Sequence, residues 1–189
     1  MFNKILIANR GEIAVRIIRA CREMGIKTVA VYSEADRDAL HTQLADEAVC
    51  IGPAQAADSY LDMEKIISAT IITKAEAIHP GFGFLSENSR FATLCEKCNI
   101  KFIGPDAALI ESLGNKSEAK NTMQAAGVPV IPGTKKPVYD WQEGLKFADE
   151  AGYPVIVKAA LGGGGKGMRV VSSHDEFEHE FLTAQRESE

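Results

Sequence analysis

The sequence predicts an α/β protein in which a parallel sheet, covered by helices on both faces, precedes a smaller α+β unit. Short apolar runs typical of buried strands alternate with amphipathic helical patterns over about the first 125 residues. Such alternation predicts parallel strands joined by crossover helices. Two further strand-like runs then flank a run of consecutive glycines, which indicates a hairpin with a glycine loop.

The strands of the predicted parallel sheet lie at 5–8, 28–32, 48–51, 75–79 and 101–104. A helical pattern follows the first strand and ends at Gly25, and others lie around 62–70 and over 87–98. Helices are therefore expected on both faces of the sheet. Two more helical stretches, 106–113 and 116–126, complete this part of the chain.

The segment 127–133 is rich in glycine and proline and marks the predicted domain boundary. Residues 1–128 are assigned to the first domain. Residues 129–189 are assigned to the second, which is expected to contain a helix, the hairpin and a final helix. That last helical pattern reaches Glu189 without a glycine, asparagine or proline to end it. The chain is therefore expected to be a piece of a longer protein.

Composition and charge exclude several classes of function. The 189 residues carry a net charge of -5 with a pI near 5.5, which argues against nucleic acid as a partner because duplex binding depends on basic surface. No apolar stretch is long enough for a signal peptide or a membrane span. Four cysteines without a secretory signal indicate the reducing cytoplasm.

The cysteines themselves are expected to be structural. Cys21 and Cys50 are predicted to be small buried hydrophobic residues. Cys95 and Cys98 form a C-x-x-C pair, which can belong to a zinc site or a redox site. No second pair supplies the remaining zinc ligands, and this pair closes a helical pattern instead of opening one. A structural role is therefore favoured.

The loop from Gly162 to Gly167 consists of glycine apart from Lys166. Without Cβ atoms its backbone N–H groups can crowd around an anion, and the lysine favours phosphate. The loop is not a P-loop, because Ala160 stands at the position of the first glycine and Gly167 follows Lys166 in place of serine or threonine. A dinucleotide fingerprint is also absent, because the turn between the first strand and helix, 8–13, contains one glycine. The pattern favours a hairpin that folds over a triphosphate, with Lys158 as a point charge. A flexible, solvent-exposed hairpin is the alternative.

The loop His79–Asn88 follows a predicted strand at its carboxyl end, where open α/β sheets bind ligands. Its glycines allow the backbone to approach a ligand closely. A histidine at such a position is more often a structural hydrogen-bonding group than a catalyst. Lys116, at the start of a predicted helix, indicates by itself only an exposed lysine.

Three motifs together carry a resemblance to a known family: Ile7–Ala14, Ala77–Asn88, and Tyr153–Ala160 with the glycine loop. Over essentially its whole length the chain resembles the N-terminal part of biotin carboxylase, the ATP-grasp component of acetyl-CoA carboxylase and related biotin-dependent carboxylases. The glycine-loop segment alone also resembles carbamoyl-phosphate synthetases. The resemblance implies a Rossmann-like pre-ATP-grasp domain followed by an incomplete α+β ATP-grasp lid.

The activity that this resemblance implies is carboxylation of biotin on a biotin carboxyl carrier protein, using ATP, Mg²⁺ and bicarbonate. In acetyl-CoA carboxylase, an enzyme of fatty-acid synthesis, this is the first half-reaction, and a carboxyltransferase carries out the second. A pyruvate or propionyl-CoA carboxylase is an alternative parent, and a non-catalytic dimerisation or nucleotide-binding module is an alternative of another class. The family's catalytic residues and metal ligands are expected outside this chain, which is therefore expected to be inactive alone.

The resemblance also implies roles for particular residues. Contacts to ATP are expected from Lys116, Lys158, Gly163, Gly164, Gly165, Lys166 and Met168. Phe82 and Gly83 are expected near the biotin ring, where a tyrosine is common in the family at the position of Phe82; stacking remains possible without its hydroxyl. Arg19 and Glu23 match helix positions of the family's homodimer interface.

Overall fold

The computed structural model describes residues 1–134, 136–158 and 167–188. The chain divides into two compact units, Met1–Glu111 and Ser112–Glu189. The domain boundary after residue 128 stays a prediction. Each unit has its own sheet.

The first unit is built on a five-stranded sheet in which every pair of neighbouring strands is parallel. Its strands are β1 Lys4–Ile7, β2 Lys27–Ser33, β3 Glu47–Gly52, β4 Ala77–His79 and β5 Lys101–Phe102. Their order across the sheet is β3-β2-β1-β4-β5. The parallel sheet predicted from the alternating pattern is confirmed.

Helices pack on both faces of this sheet, as predicted. The helices of the first unit are α1 Gly11–Glu23, α2 Leu40–Leu44, α3 Met63–Ile72 and α4 Ser89–Lys97, and α5 Ala107–Gly114 extends across the division between the units. Because side chains alternate along a strand, Ile5 and Ile7 join the core under α1, whereas Leu6 joins the core under α3 and α4. The short helix α2 was not predicted, since its five residues are too few to show a helical period.

The predicted burial of Cys50 is wrong. Cys21 is buried against the sheet, but Cys50 is exposed because β3 is an edge strand with solvent on one face. An apolar run in the sequence does not distinguish an edge strand from a central one.

The second unit contains an antiparallel hairpin packed against two helices. Its elements are α6 Lys116–Ala125, α7 Trp141–Ala151, β6 Val155–Lys158, β7 Met168–Val171 and α8 Phe177–Ser188. Ala148, Val171, Phe177 and Phe181 form its core. The predicted hairpin and its flanking helices are confirmed. Across the described part of both units, no helix combines the length and apolarity needed to cross a membrane.

Candidate functional site

The carboxyl edge of the parallel sheet gathers polar groups from the ends of β1, β2 and β4. Asn9 follows β1 and is only 3% exposed. Its side-chain amide donates hydrogen bonds to the carbonyl oxygens of Pro80 and Phe82, each at 2.8 Å, and its Oδ1 accepts from the Arg10 amide at 2.9 Å. The loop after β4 is therefore tied to the end of β1 by side-chain hydrogen bonds.

The loop after β4 presents Phe82 to solvent. Phe82 is 77% exposed and lies between Gly81 and Gly83, whose φ angles are +69° and +71°. On the far side of this turn, the Phe84 ring stacks on Tyr60 with ring centroids 5.0 Å apart. Both ends of the turn are anchored, while its aromatic tip contacts little of the described protein.

His79 begins this loop and acts as a structural group. Its Nδ1 accepts a hydrogen bond from the Gly81 amide at 3.0 Å, so a neutral ring carries its proton on Nε2. Burial lowers the pKa of His79, which favours that neutral form. These contacts agree with the prediction that a histidine here serves as a hydrogen-bonding group.

A network of charged and polar side chains supports the same edge. The Tyr60 hydroxyl donates to Asp36 Oδ2 at 2.6 Å and accepts from the Ser33 amide at 2.9 Å. Arg10 pairs with Asp36 at 3.2 Å, and its guanidinium lies 5.8 Å from the centre of the Tyr60 ring. Sequence reasoning missed this network, because nothing local marks Asp36 or Tyr60 as partners of residues that are distant along the chain.

The electrostatics of the network keep its proton on the tyrosine. Burial, followed by the hydrogen bond to Asp36, raises the pKa of Tyr60 to about 12. Burial alone would raise the pKa of Asp36, but hydrogen bonds from Tyr60, Arg10 and Ser33 outweigh it, and the pKa is lowered. The edge therefore holds an ionised Asp36 at neutral pH.

The hairpin of the second unit has one covered face and one open face. Val155, Val157 and Val171 pack with α7 and α8, whereas the alternate residues point to solvent. The open face carries Ile156, Lys158, Met168 and Val170. Its apolar members are 44–61% exposed, and Lys158 lies directly opposite Met168 in the strand register. Within the described strands, this face is an apolar surface that also carries the positive charge of Lys158.

The remaining predicted nucleotide contacts are only partly described. Lys116 is the first residue of α6, but the position of its side chain lies outside the description. Gly163, Gly164, Gly165 and Lys166 also lie outside the described residues. Lys158 and Met168 adjoin each other in the second unit, whereas Phe82 and Gly83 belong to the first.

The solvent face of α1 carries the predicted dimer residues Arg19 and Glu23, which are both exposed. Along the described part of the chain, neither forms an ion pair. The helix instead uses Arg22 to contact α2, by a 2.6 Å hydrogen bond from its guanidinium to the Leu44 carbonyl. The Arg19 and Glu23 charges therefore point away from the unit.

The C-x-x-C cysteines lie at the end of α4. Cys95 is fully buried, and burial raises the pKa of its thiol to about 12, with the nearby Cys98 adding to the effect. A thiol with that pKa is protonated at neutral pH and is a poor nucleophile. Among the described residues, no three His, Cys, Asp or Glu side chains are grouped as metal ligands.

Comparison with known proteins assigns the first unit. A family model described as "Biotin carboxylase, N-terminal domain" matches residues 1–110. The chain belongs to the biotin carboxylase family. A second model, "Carbamoyl-phosphate synthase L chain, ATP binding domain", matches residues 115–189, which contain the hairpin.

Individual members of the biotin carboxylase family match the whole chain. The biotin carboxylase of Nostoc sp. is 59% identical over 187 residues, which are 99% of this chain and 42% of the relative. A crystal structure of Campylobacter jejuni biotin carboxylase, a beta-gamma-ATP complex, is 51% identical with a TM-score of 0.96. It is matched over 100% of this chain and 42% of its own.

A third match is the biotin carboxylase domain of 2-oxoglutarate carboxylase from Hydrogenobacter thermophilus, a dimer in complex with MgADP, ADP and bicarbonate. It is 48% identical with a TM-score of 0.94, over 100% of this chain and 41% of that one. The sequence therefore spans less than half the length of these relatives. The predicted α/β fold is confirmed by both structures.

Proposed function

We propose that the protein is part of a biotin carboxylase that uses ATP and bicarbonate to carboxylate biotin on a biotin carboxyl carrier protein. The proposal rests on membership of the family and on one structural observation. That observation is the open face of the hairpin, where apolar side chains and Lys158 lie together at the start of the glycine loop.

The open face suits a nucleotide because it combines two kinds of surface. Ile156, Met168 and Val170 offer an apolar patch of the kind that lines ligand sites, where the base of ATP would pack. Lys158 supplies a flexible positive charge for the phosphates. The N–H groups of Gly163, Gly164 and Gly165, with Lys166, would hold the phosphates, and Lys116 would add a second charge.

Mg²⁺ would accompany ATP and neutralise phosphate charge. The described residues contain no cluster of metal ligands. The ion would therefore be held mainly by the phosphates and by groups outside these residues. Phosphoryl transfer to bicarbonate depends on such charge stabilisation and on positioning. We therefore propose that this chain alone binds nucleotide without turning it over.

Biotin would contact the exposed tip of the first unit. Phe82 offers an aromatic face for packing but no hydroxyl, and the bare backbone at Gly83 allows close approach. Among the described residues, no atom lies within 4 Å of the position that a Cβ at Gly83 would occupy, so they leave this side of the turn uncovered.

The partners of the proposed enzyme are the carrier protein and a carboxyltransferase, and a second copy would associate through the α1 face of Arg19 and Glu23. Two antiparallel copies of α1 would place each arginine near the partner's glutamate, because a two-fold interface brings the same patch together. Acetyl-CoA carboxylase in the cytoplasm is the proposed parent; pyruvate and propionyl-CoA carboxylases are alternative parents.

Nucleotide binding tests the site directly. Titration calorimetry of the chain with Mg-ATP is expected to show binding that Lys158→Ala weakens about tenfold, the effect of losing one charge-assisted contact. Lys146→Ala is the matched control, since Lys146 is an exposed lysine on α7 of the same unit. Equal effects of the two substitutions would contradict the role of Lys158.

Measurements of ATP turnover and of self-association distinguish the proposed enzyme from an assembly module. The chain alone is expected to show no bicarbonate- and biotin-dependent ATP hydrolysis above the Lys158→Ala background, whereas the complete gene product is expected to show it. The exposed charges of α1 favour a dimerisation module as the second candidate function. Micromolar self-association by sedimentation, without any nucleotide binding, would support that module instead.

A further inference from the structure

We infer that Asn9 is a positioning residue, whose side-chain amide holds the Phe82 loop (residues 80–84) and sets the orientation of its exposed aromatic tip. The importance of this orientation for biotin rests on the proposed function. The hydrogen bonding of Asn9 itself does not, so the two can be tested separately.

The place of Asn9 in the sheet explains why it has this role. In open parallel sheets, ligands bind in the crevice at the carboxyl edge where the strand order reverses. Here the order β3-β2-β1-β4-β5 puts that reversal between β1 and β4. Asn9 follows β1 and bridges to the loop after β4, so a protein side chain occupies the base of this crevice. The exposed aromatic surface of the loop is at its tip, where Phe82 lies.

The hydrogen bonds of Asn9 use both protons of its amide. One goes to the Pro80 carbonyl and the other to the Phe82 carbonyl, and both bonds span more than 70 residues of sequence. A side-chain amide supplies two such donors without bringing a charge into this buried position. An aspartate would instead place a carboxylate against two carbonyl oxygens, although its shape is nearly the same.

The backbone of the loop is seated directly on this amide. A Cβ added at Gly81 would come within 2.7 Å of Asn9 Nδ2 and 2.7 Å of Ile13 Cγ2. The stacking of Phe84 on Tyr60 anchors the other end. Phe82 thus has a restrained backbone and an exposed side chain, which is the arrangement of a contact residue prepared before its ligand arrives.

Proteolysis of the full chain tests the positioning. Chymotrypsin cleaves after exposed aromatic residues, and cleavage of a loop follows the population of its open form. Both Asn9 variants are expected to speed cleavage after Phe82, because each loses the two hydrogen bonds to the loop. The increase is expected to be about tenfold or more for Asn9→Asp, which also places a carboxylate against the carbonyl oxygens, and somewhat smaller for Asn9→Ala. Cleavage after the fully buried Phe91 reports global unfolding.

The matched control is Asn3→Ala. Asn3 also bridges distant residues, donating from its side chain to Glu76 at 2.7 Å, but it lies at the opposite edge of the sheet. The cleavage pattern of the Asn3→Ala variant is expected to equal that of the wild type. Rates after Phe82 within twofold of the wild type in both Asn9 variants would overturn the inference. Parallel increases at Phe82 and Phe91 would also overturn it, because they would show a global effect.

Kinetics of the complete gene product test the consequence for biotin. Asn9→Asp is expected to raise the KM for biotin about tenfold or more while leaving the KM for ATP within twofold, since displacing a contact group by about 1 Å is costly. Equal rises in both KM values would overturn the link to biotin. If the wild type shows no biotin-dependent hydrolysis, the proposed function fails, and the proteolysis result still decides the positioning role of Asn9.

Discussion

Two glycines flanking Phe82 offer a test of how tightly the loop is seated. Gly81 and Gly83 have nearly the same backbone angle, with φ at +69° and +71°. Their surroundings differ, because a Cβ at Gly81 would meet Asn9 and Ile13 at 2.7 Å, whereas a Cβ at Gly83 would meet no atom of the described part of the chain within 4 Å. Alanine at each position therefore separates the cost of backbone strain from the cost of crowding.

The expected magnitudes follow from these distances. A residue with a Cβ in the left-handed region costs about 1–2 kcal/mol, so Gly83→Ala should lower the free energy of unfolding by about that amount. Gly81→Ala adds overpacking of about 1–3 kcal/mol, because its neighbour Asn9 is held by hydrogen bonds and cannot yield freely. Gly81→Ala is therefore expected to cost about 2–5 kcal/mol in total.

Urea unfolding followed by far-ultraviolet circular dichroism measures both variants. The difference in unfolding free energy between Gly81→Ala and Gly83→Ala is the quantity of interest, provided that the slope with urea stays the same. If the two variants agree within about 0.5 kcal/mol, the loop yields at no cost and the tight seating on Asn9 is refuted.

Three other predictions concern the packed and charged groups. Tyr60→Phe should lower the free energy of unfolding by about 2 kcal/mol, because it removes the hydrogen bond to the ionised Asp36 and the one from the Ser33 amide while the ring still packs. A loss below about 0.5 kcal/mol in urea titration would contradict this prediction. Burial lowers the pKa of His41 below its unfolded value, so its contribution to stability is complete above about pH 6.5 and is lost as the pH decreases toward the folded-state pKa. His41→Gln should therefore flatten this part of the curve of unfolding free energy against pH. An unchanged slope would refute the role of His41 in this pH dependence. Phe177→Ala should lower the unfolding free energy of the second unit by about 3–5 kcal/mol, because it empties part of the core. The single tryptophan, Trp141, packs in this core, so its fluorescence reports the unfolding transition. An unshifted transition would show that the stability of the unit does not depend on this core.

The sequence by itself determined the classes of structure and the family. Strand and helix periods are local properties, so the alternating runs were enough to predict a parallel sheet with helices on both faces, and the two runs around the glycine loop predicted the hairpin. Recognition of the family also needed only local motifs. The nucleotide contacts of Lys158 and the glycine loop, and the biotin contact of Phe82, remain predictions.

Only the tertiary structure decided which distant residues meet. Asn9 and Phe82 are separated by 73 residues, and no local pattern shows that their strands are neighbours across the sheet. The same applies to Tyr60 with Asp36, and to Cys50, whose exposure depends on its strand lying at the edge. Strand order is set by the packing of the whole chain, whereas secondary structure is largely set by spacing along it. The positioning of Phe82 depends on strand order, so only the tertiary structure shows it.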